Sequence, residues 1–361
     1  MAWRVSSRRR LLGLSLAAGL GFVALASGLG AGAADLPQRL SDRDFWRFST
    51  EWSESNGYFR SDNLTSNELL FQRVLTDLVK RTRPGDVYLG VGPEQNYTYV
   101  AAVKPSMAII FDIRRGNLQL QLMYKALFEL AADRADFVSM LFAKPRPAGL
   151  GPKSSVVDLF TAFAQSPRSD ALYSQTLKAV DTHLTKTHAL PLSAEDLEGI
   201  EYVYHAFYLR GFAVRPAPAY DDLMTATDET GAFKSYLASE ARFGILKKLE
   251  SKNLVIPVVG DFGGPKAIRA VGAYLRTHGA IVSTFFRYSA SSRGTAPKAS
   301  NNSAAVAPAR SAGGLGRDKS IDTNPARSAD SSNSALYISC TSMLPRRMSK
   351  MIAIGGFSAA M

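Results

Sequence analysis

The chain has 361 residues, 46% hydrophobic and 20% charged, enough for a sizeable core and too apolar for a wholly disordered, collagen-like or coiled-coil protein. Its net charge of +12 sits at the ends: residues 1–34 carry +4, residues 287–361 carry +7, and the middle is left with +1, without the basic footprint of a nucleic-acid-binding domain. The single cysteine, Cys340, excludes an internal disulfide framework and any cysteine-cluster zinc site.

In chain order, Ser7-Arg8-Arg9-Arg10-Leu11-Leu12 precedes an uncharged stretch to Ala34, with the small residues Ala31 and Ala33 placed for cleavage before Ala34. Residues 1–33 therefore read as an export signal, and the paired arginines before two leucines read as the twin-arginine form. An ordinary Sec signal and an uncleaved membrane anchor are the alternatives. No cysteine follows the apolar stretch, so a lipid anchor is excluded. Either export machinery is a partner, the protein is periplasmic or secreted, and no stable membrane span remains after cleavage.

Residues 34–84 form a helical lead-in. Phe45, Trp46, Phe48 and Trp52 are spaced for one packed helix. Thr65-Ser66-Asn67-Glu68 has the capping-box pattern and predicts the start of a second, with Leu70, Val74, Leu75 and Leu78 as its stripe and Arg83-Pro84-Gly85 as its stop. Val87 to Gly92 is a short apolar run that predicts a buried strand; Tyr97 to Val103 a short helix; Met107 to Phe111 a second buried strand closed by Asp112. One long helix is expected from Asn117 to Phe142, a Pro/Gly break over 144–152, and a purely helical insertion over about 154–210. Leu223 to Thr227 reads as a weak strand, Ser239 as the cap of a helix to Ser251, and Leu254 to Val259 as a strand that Pro257 consigns to an edge or a bulge. Pro265 and Gly279 bracket the last helix before a strand over Ala280 to Phe286. From Arg287 the pattern stops and serine rises, so 287–361 reads as a low-complexity tail or as the product of a reading-frame change. Strands alternating with helices over 85–286 imply an α/β fold with right-handed crossovers and a mainly parallel sheet.

Ligands of such sheets bind at the carboxyl ends of the strands. Gly90-Val91-Gly92-Pro93-Glu94-Gln95-Asn96 ends the first strand, and Asp112 ends the second, 20 residues past Gly92. That layout fits a Rossmann-like nucleotide site with Asp112 on the ribose hydroxyls. The third glycine of the dinucleotide fingerprint is missing, so S-adenosylmethionine suits the loop better than NAD. A tight turn with a structural aspartate is the plain alternative. Arg114 and Arg115 either clamp a carboxylate or phosphate, or pair with Asp112 or Glu94 and with solvent. The loop Gly260 to Lys266 offers free amides at a helix start to an anion or a polar ligand edge. Asp261 within it is a candidate catalytic or cofactor-orienting acid, or a helix cap. His183 and His188, five apart, fall on different faces of an α-helix; His205 reads as packed core and His278 as a helix C-terminal residue. No residue is assigned to a metal, and no Gly-x-Ser-x-Gly elbow is present.

The strings Ser61-Asp62-Asn63, Ser66-Asn67-Glu68, Tyr88 to Tyr99, Asp112-Ile113-Arg114-Arg115, Leu122 to Leu130 and Val259 to Phe262 together resemble a poorly characterised bacterial family over roughly residues 45–286. The resemblance implies a Rossmann-like fold similar to S-adenosylmethionine-dependent methyltransferases, and methyl transfer only by analogy. It also implies an Asn-Val-Glu-Gln-Tyr-type segment after the last strand, which this chain lacks. Two functions are therefore expected: an exported methyltransferase-like protein with Gly90, Gly92, Glu94, Gln95, Asn96 and Asp112 along S-adenosylmethionine, or a non-enzymatic exported protein binding a nucleoside or other small ligand on the same fold.

Overall fold

A computed structural model of the chain describes residues 35–287, apart from 216 and 262, together with residues 337–339. The export-signal reading of residues 1–33 and most of the tail lie outside the described residues. The fold is α/β: four parallel strands, β1 (Val87–Val91), β2 (Met107–Asp112), β3 (Val255–Val259) and β4 (Val282–Arg287), are flanked by helices in the Rossmann-like manner. A three-residue strand β5 (Tyr337–Ser339), inside the segment that shows no sequence pattern, adds antiparallel to β4. The order is β3-β2-β1-β4-β5. The chain steps outward from β1 to β3 and then returns to the other side of β1, which places the topological switch between β1 and β4.

Helix α1 (Asp42–Glu51) starts where Ser41 Oγ accepts the Asp44 amide at 3.0 Å. Its aromatic face packs as its spacing predicts: Phe48 stacks on Trp52 with centroids 4.4 Å apart. The segment after α1 covers the open edge of β3, with Glu54 N–H donating to Val259 O at 2.8 Å and Val259 N–H donating to Ser53 Oγ at 2.8 Å. Pro257 is paired in register with Ile110 on this edge strand. Half of an edge strand's amides lie outside the ladder, so a residue without one is tolerated there.

Four expectations are corrected. The Thr65-Ser66-Asn67-Glu68 box opens no helix: a 3-10 turn over Phe71–Val74 leads into α2 (Leu75–Arg81), and Ser66 is used elsewhere. After α3 (Gln95–Val103), the single long helix is two, α4 (Arg115–Leu130) and α5 (Arg134–Phe142). Asp133, a poor interior residue and a good cap, accepts the Asp136 amide at 2.8 Å and restarts the helix. The weak strand over 223–227 is the end of a helix. Following α6 (Val156–Gln165), α7 (Asp170–Thr182) and α8 (Ala194–Arg210), the chain forms α9 (Tyr220–Thr225), which buries Leu223 and Met224 and leaves only the bridge Thr227–Phe233. Finally, His205 is exposed on α8 rather than packed in the core.

The last two helices are α10 (Glu240–Glu250), capped by Ser239, and α11 (Ala267–Thr277), closed by Gly279 at φ +58°. His278 Nδ1 lies 2.8 Å from Tyr274 O at that end. Tyr97, Tyr124, Phe128, Phe137, Tyr236 and Phe243 pack ring to ring and join α3, α4, α5 and α10. Among the described residues, no helix is long and apolar enough to cross a membrane.

Candidate functional site

At the carboxyl end of β1 the chain turns at Gly92, whose φ of +83° favours glycine. The turn is held from inside. Asn96 Nδ2 donates to the carbonyls of Val91, Gly92 and Pro93 at 3.0, 3.2 and 2.7 Å, while its Oδ1 accepts the Tyr88 hydroxyl at 2.7 Å. A Cβ at Gly90 would meet Asn96 Oδ1 and the Tyr88 ring, so Gly90 makes room for the protein's own side chains. Glu94 is wholly buried and accepts the Ser66 amide at 3.1 Å; burial pushes its carboxyl up to about 7 against the pull of that amide. Gln95 Oε1 accepts the Ser66 hydroxyl. Gly90, Glu94, Gln95 and Asn96, expected along a ligand, are thus spent on the turn and on anchoring residues near 66.

Asp112 stays at the end of β2, 8% exposed. Burial raises its carboxyl above the usual range, although the Arg114 guanidinium and backbone amides pull the other way. Its Oδ1 accepts the Arg114 amide at 2.9 Å, and Arg114 Nε lies 3.5 Å away. Arg114 Nε and Nη2 are buried without a hydrogen-bond partner. Buried N–H groups of a cation are costly to leave unpaired, and a carboxylate or phosphate answers them best. Arg115 is committed: its Nε and Nη2 meet both oxygens of Asp196 at 2.7 and 2.8 Å, fastening the start of α4 to the start of α8. It is a structural partner, not a free clamp.

The anion position at the start of α11 is filled from within. Glu54 accepts the amides of Asp261, Lys266 and Ala267 at 3.2, 2.8 and 2.9 Å, and these bonds, led by Ala267, hold its carboxyl below the usual range against a burial effect. Asp261 is exposed, and its Oδ1 accepts the Gly263 amide at 2.9 Å. That is the work of a turn-forming aspartate. From Glu54 the chain runs across the strand ends, with Gly57 N–H on Ile113 O at 2.6 Å and Asn56 Oδ1 accepting the Arg115 amide at 2.8 Å. Gly92, Asp112 and Arg114 are what remains of the expected site.

A second cluster lies elsewhere and joins His183 and His188, which the sequence puts on different faces of an α-helix. Glu129, near the end of α4, meets His183 Nε2 at 2.8 Å and His188 Nε2 at 2.6 Å through one oxygen, Oε2. Residues 183–187 form a π turn, whose i→i+5 bond runs from His188 N–H to His183 O at 3.0 Å. Such bonding brings residues five apart onto one side, so the spacing that separates these histidines on an α-helix unites them here. Lys125 Nζ, on the same face of α4 as Glu129, holds Oε1 at 2.6 Å. The i,i+4 pair Lys125/Glu129 was the only sequence signal available.

A search of curated proteins returns no match to the chain. Residues 63–289 match a family described as a domain of unknown function, DUF7790, a region that ends two residues past Arg287, where the sequence changes character. The chain belongs to that family.

Proposed function

We propose that this is an exported ligand-binding protein that holds an S-adenosylmethionine-like nucleoside at the carboxyl ends of β1 and β2. The single observation that carries the reading is the buried pair Asp112 and Arg114: an acid at the end of the second strand of a Rossmann-like sheet, beside a guanidinium with two unpartnered N–H positions. A carboxylate there accepts ribose hydroxyls, and Arg114 answers a ligand carboxylate or phosphate. Gly92 lets the backbone approach. The near-neutral charge of the middle supports a small molecule over a nucleic acid as partner. The twin-arginine string at Ser7 to Leu12 supports export, and folded export with ligand already loaded fits a ligand made in the cytoplasm.

Methyl transfer on that ligand is the second reading. It is favoured by the methyltransferase-like resemblance of the segments around Gly90 and Asp112, and it asks mainly for positioning of two reactants. Against it stands the use of Glu94 and Asn96 within the turn, which favours binding without turnover. Mass spectrometry of small molecules released from natively purified protein tests the proposal: a stoichiometric adenosyl compound supports it. A well-folded preparation that releases none, and takes up none when incubated with S-adenosylmethionine, overturns it.

A further inference from the structure

The cluster at Glu129 has features that a plain ion pair does not need. His183 Nε2, His188 Nε2 and a Glu129 oxygen lie within 4.8 Å of one another. The two imidazoles stand at 89° with centroids 4.8 Å apart, so their nitrogens approach one point from different directions. On the far side of His188, Nδ1 lies 2.5 Å from Asp42 Oδ1, and Asn253 Nδ2 holds that carboxylate at 2.8 Å. Donation of Nδ1–H to Asp42 leaves the His188 Nε2 that faces Glu129 Oε2 as either a second N–H donor or a metal-binding lone pair. Two imidazole nitrogens set against one carboxylate oxygen call for positive charge between them, supplied by protons or by one cation.

We propose that Glu129, His183 and His188 form a binding site for a zinc-type divalent cation, with Asp42 as the outer carboxylate that orients His188. Two imidazole nitrogens and one carboxylate oxygen are a zinc donor set that leaves a fourth position for water or a ligand atom. A carboxylate behind a metal-bound histidine fixes its tautomer and ring orientation. Lys125 occupies Oε1 and a backbone carbonyl at Glu250, so one Glu129 oxygen is neutralised and the other faces the imidazoles. Ligand bonds of about 2.0–2.2 Å set tetrahedral donor atoms roughly 3.3 Å apart, so the present 2.6 and 2.8 Å separations need to open by about half an ångström.

Access is also provided. One surface groove, lined by Asp42, Trp46, Arg47, His188 and Pro191, reaches the cluster from one side. A second, lined by Leu130, Lys178, Thr182, His183 and Thr187, reaches it from the other. The site is independent of the nucleoside reading: α4 begins at the carboxyl end of β2, and its 16 residues span about 24 Å, carrying Glu129 away from Asp112.

The full-length chain, stripped with a chelator and dialysed, is titrated with zinc sulfate and its imidazole ¹⁵N resonances are followed. One zinc per chain is expected, moving the Nε2 signals of two of the four histidines in the sequence. His183→Ala and His188→Ala are expected to weaken uptake more than a hundredfold, and Asp42→Asn by about ten- to a hundredfold. Failure to bind zinc stoichiometrically, movement of His205 and His278 instead, or uptake unchanged in both alanine variants overturns the site. The wild-type spectra decide the matter if a variant fails to fold.

Discussion

Replacing Glu94 with glutamine separates a buried, internally used carboxyl from one that meets a ligand. Glu94 has no exposed surface, and burial lifts its carboxyl from 4.5 to about 7. In the unfolded chain the group titrates near 4.5. Protonated, it is comfortable in both states, so below about pH 4.5 it costs the fold nothing. As pH rises toward 7 the unfolded state loses its proton first, and folding stability falls by about 3 kcal/mol before levelling off above pH 7. Glutamine does not titrate and keeps an oxygen for the Ser66 amide. Its amide group brings a burial cost of its own, but that cost is the same at every pH. The stability of Glu94→Gln relative to the unaltered chain is therefore expected to improve by about 3 kcal/mol between pH 4.5 and pH 8, equivalent to about 6–12 °C in Tm for a domain of this size. Urea unfolding of both proteins at the two pH values measures it, and other titrating groups cancel in the difference. A gap that stays constant with pH would refute the burial argument and return Glu94 to the solvent-facing wall of a cleft.

Gly90→Ala puts a methyl group against Asn96 Oδ1 and Tyr88, so it is expected to destabilise the fold by about 1–3 kcal/mol in urea titration; unaltered stability with impaired ligand binding would show that the glycine serves a ligand instead. Arg115→Ala leaves the nearly buried Asp196 without its bidentate partner and is expected to cost about 2 kcal/mol, between the surface and buried cases, read by the same titration. Glu54→Gln removes a charge that accepts three amides at the start of α11. Because Glu54 titrates below its usual range when folded, its stabilisation is present above about pH 4.5 and fades as pH falls below; thermal melts of the variant and the unaltered chain should converge at low pH and separate at pH 7.

The first three parallel strands were legible because each is a short, mostly apolar run bounded by turn residues, and β4, with Ser283 and Thr284 inside it, from its place after the last helix; Pro257 pointed to an edge or a bulge, and β3 is the edge. The break between α4 and α5 was not, because Leu120 through Leu141 keep one apolar face across it and only the capping preference of Asp133 marks the interruption. The capping box at Thr65 misled because Ser66 is satisfied by Glu94 and Gln95, 28 and 29 residues away, rather than by its own helix. Long-range satisfaction of this kind leaves no local signal. The same holds for Glu54, whose partners lie more than 200 residues downstream. The position of Asp112 at the end of β2 was readable from the sequence, whereas the meeting of the histidine pair was hidden by a π turn that an α-helical period cannot represent.

Calorimetric titration of the full-length protein with S-adenosylhomocysteine, for the unaltered chain and for Asp112→Asn, tests the nucleoside site directly. Charged hydrogen bonds to ribose hydroxyls are worth about 1.5–3 kcal/mol each, so the substitution should weaken binding more than about tenfold. The Asp112 carboxylate also accepts the Arg114 amide, a bond that an asparagine oxygen can keep, and its contact with the Arg114 guanidinium, at 3.5 Å, is too long for a strong hydrogen bond, so the melting temperature should change little. Saturable binding to the unaltered chain, weakened by Asp112→Asn without loss of stability, is the predicted result. No binding to a folded protein, or equal affinity in a variant that melts earlier, would contradict it and leave Asp112 as a purely structural partner of Arg114.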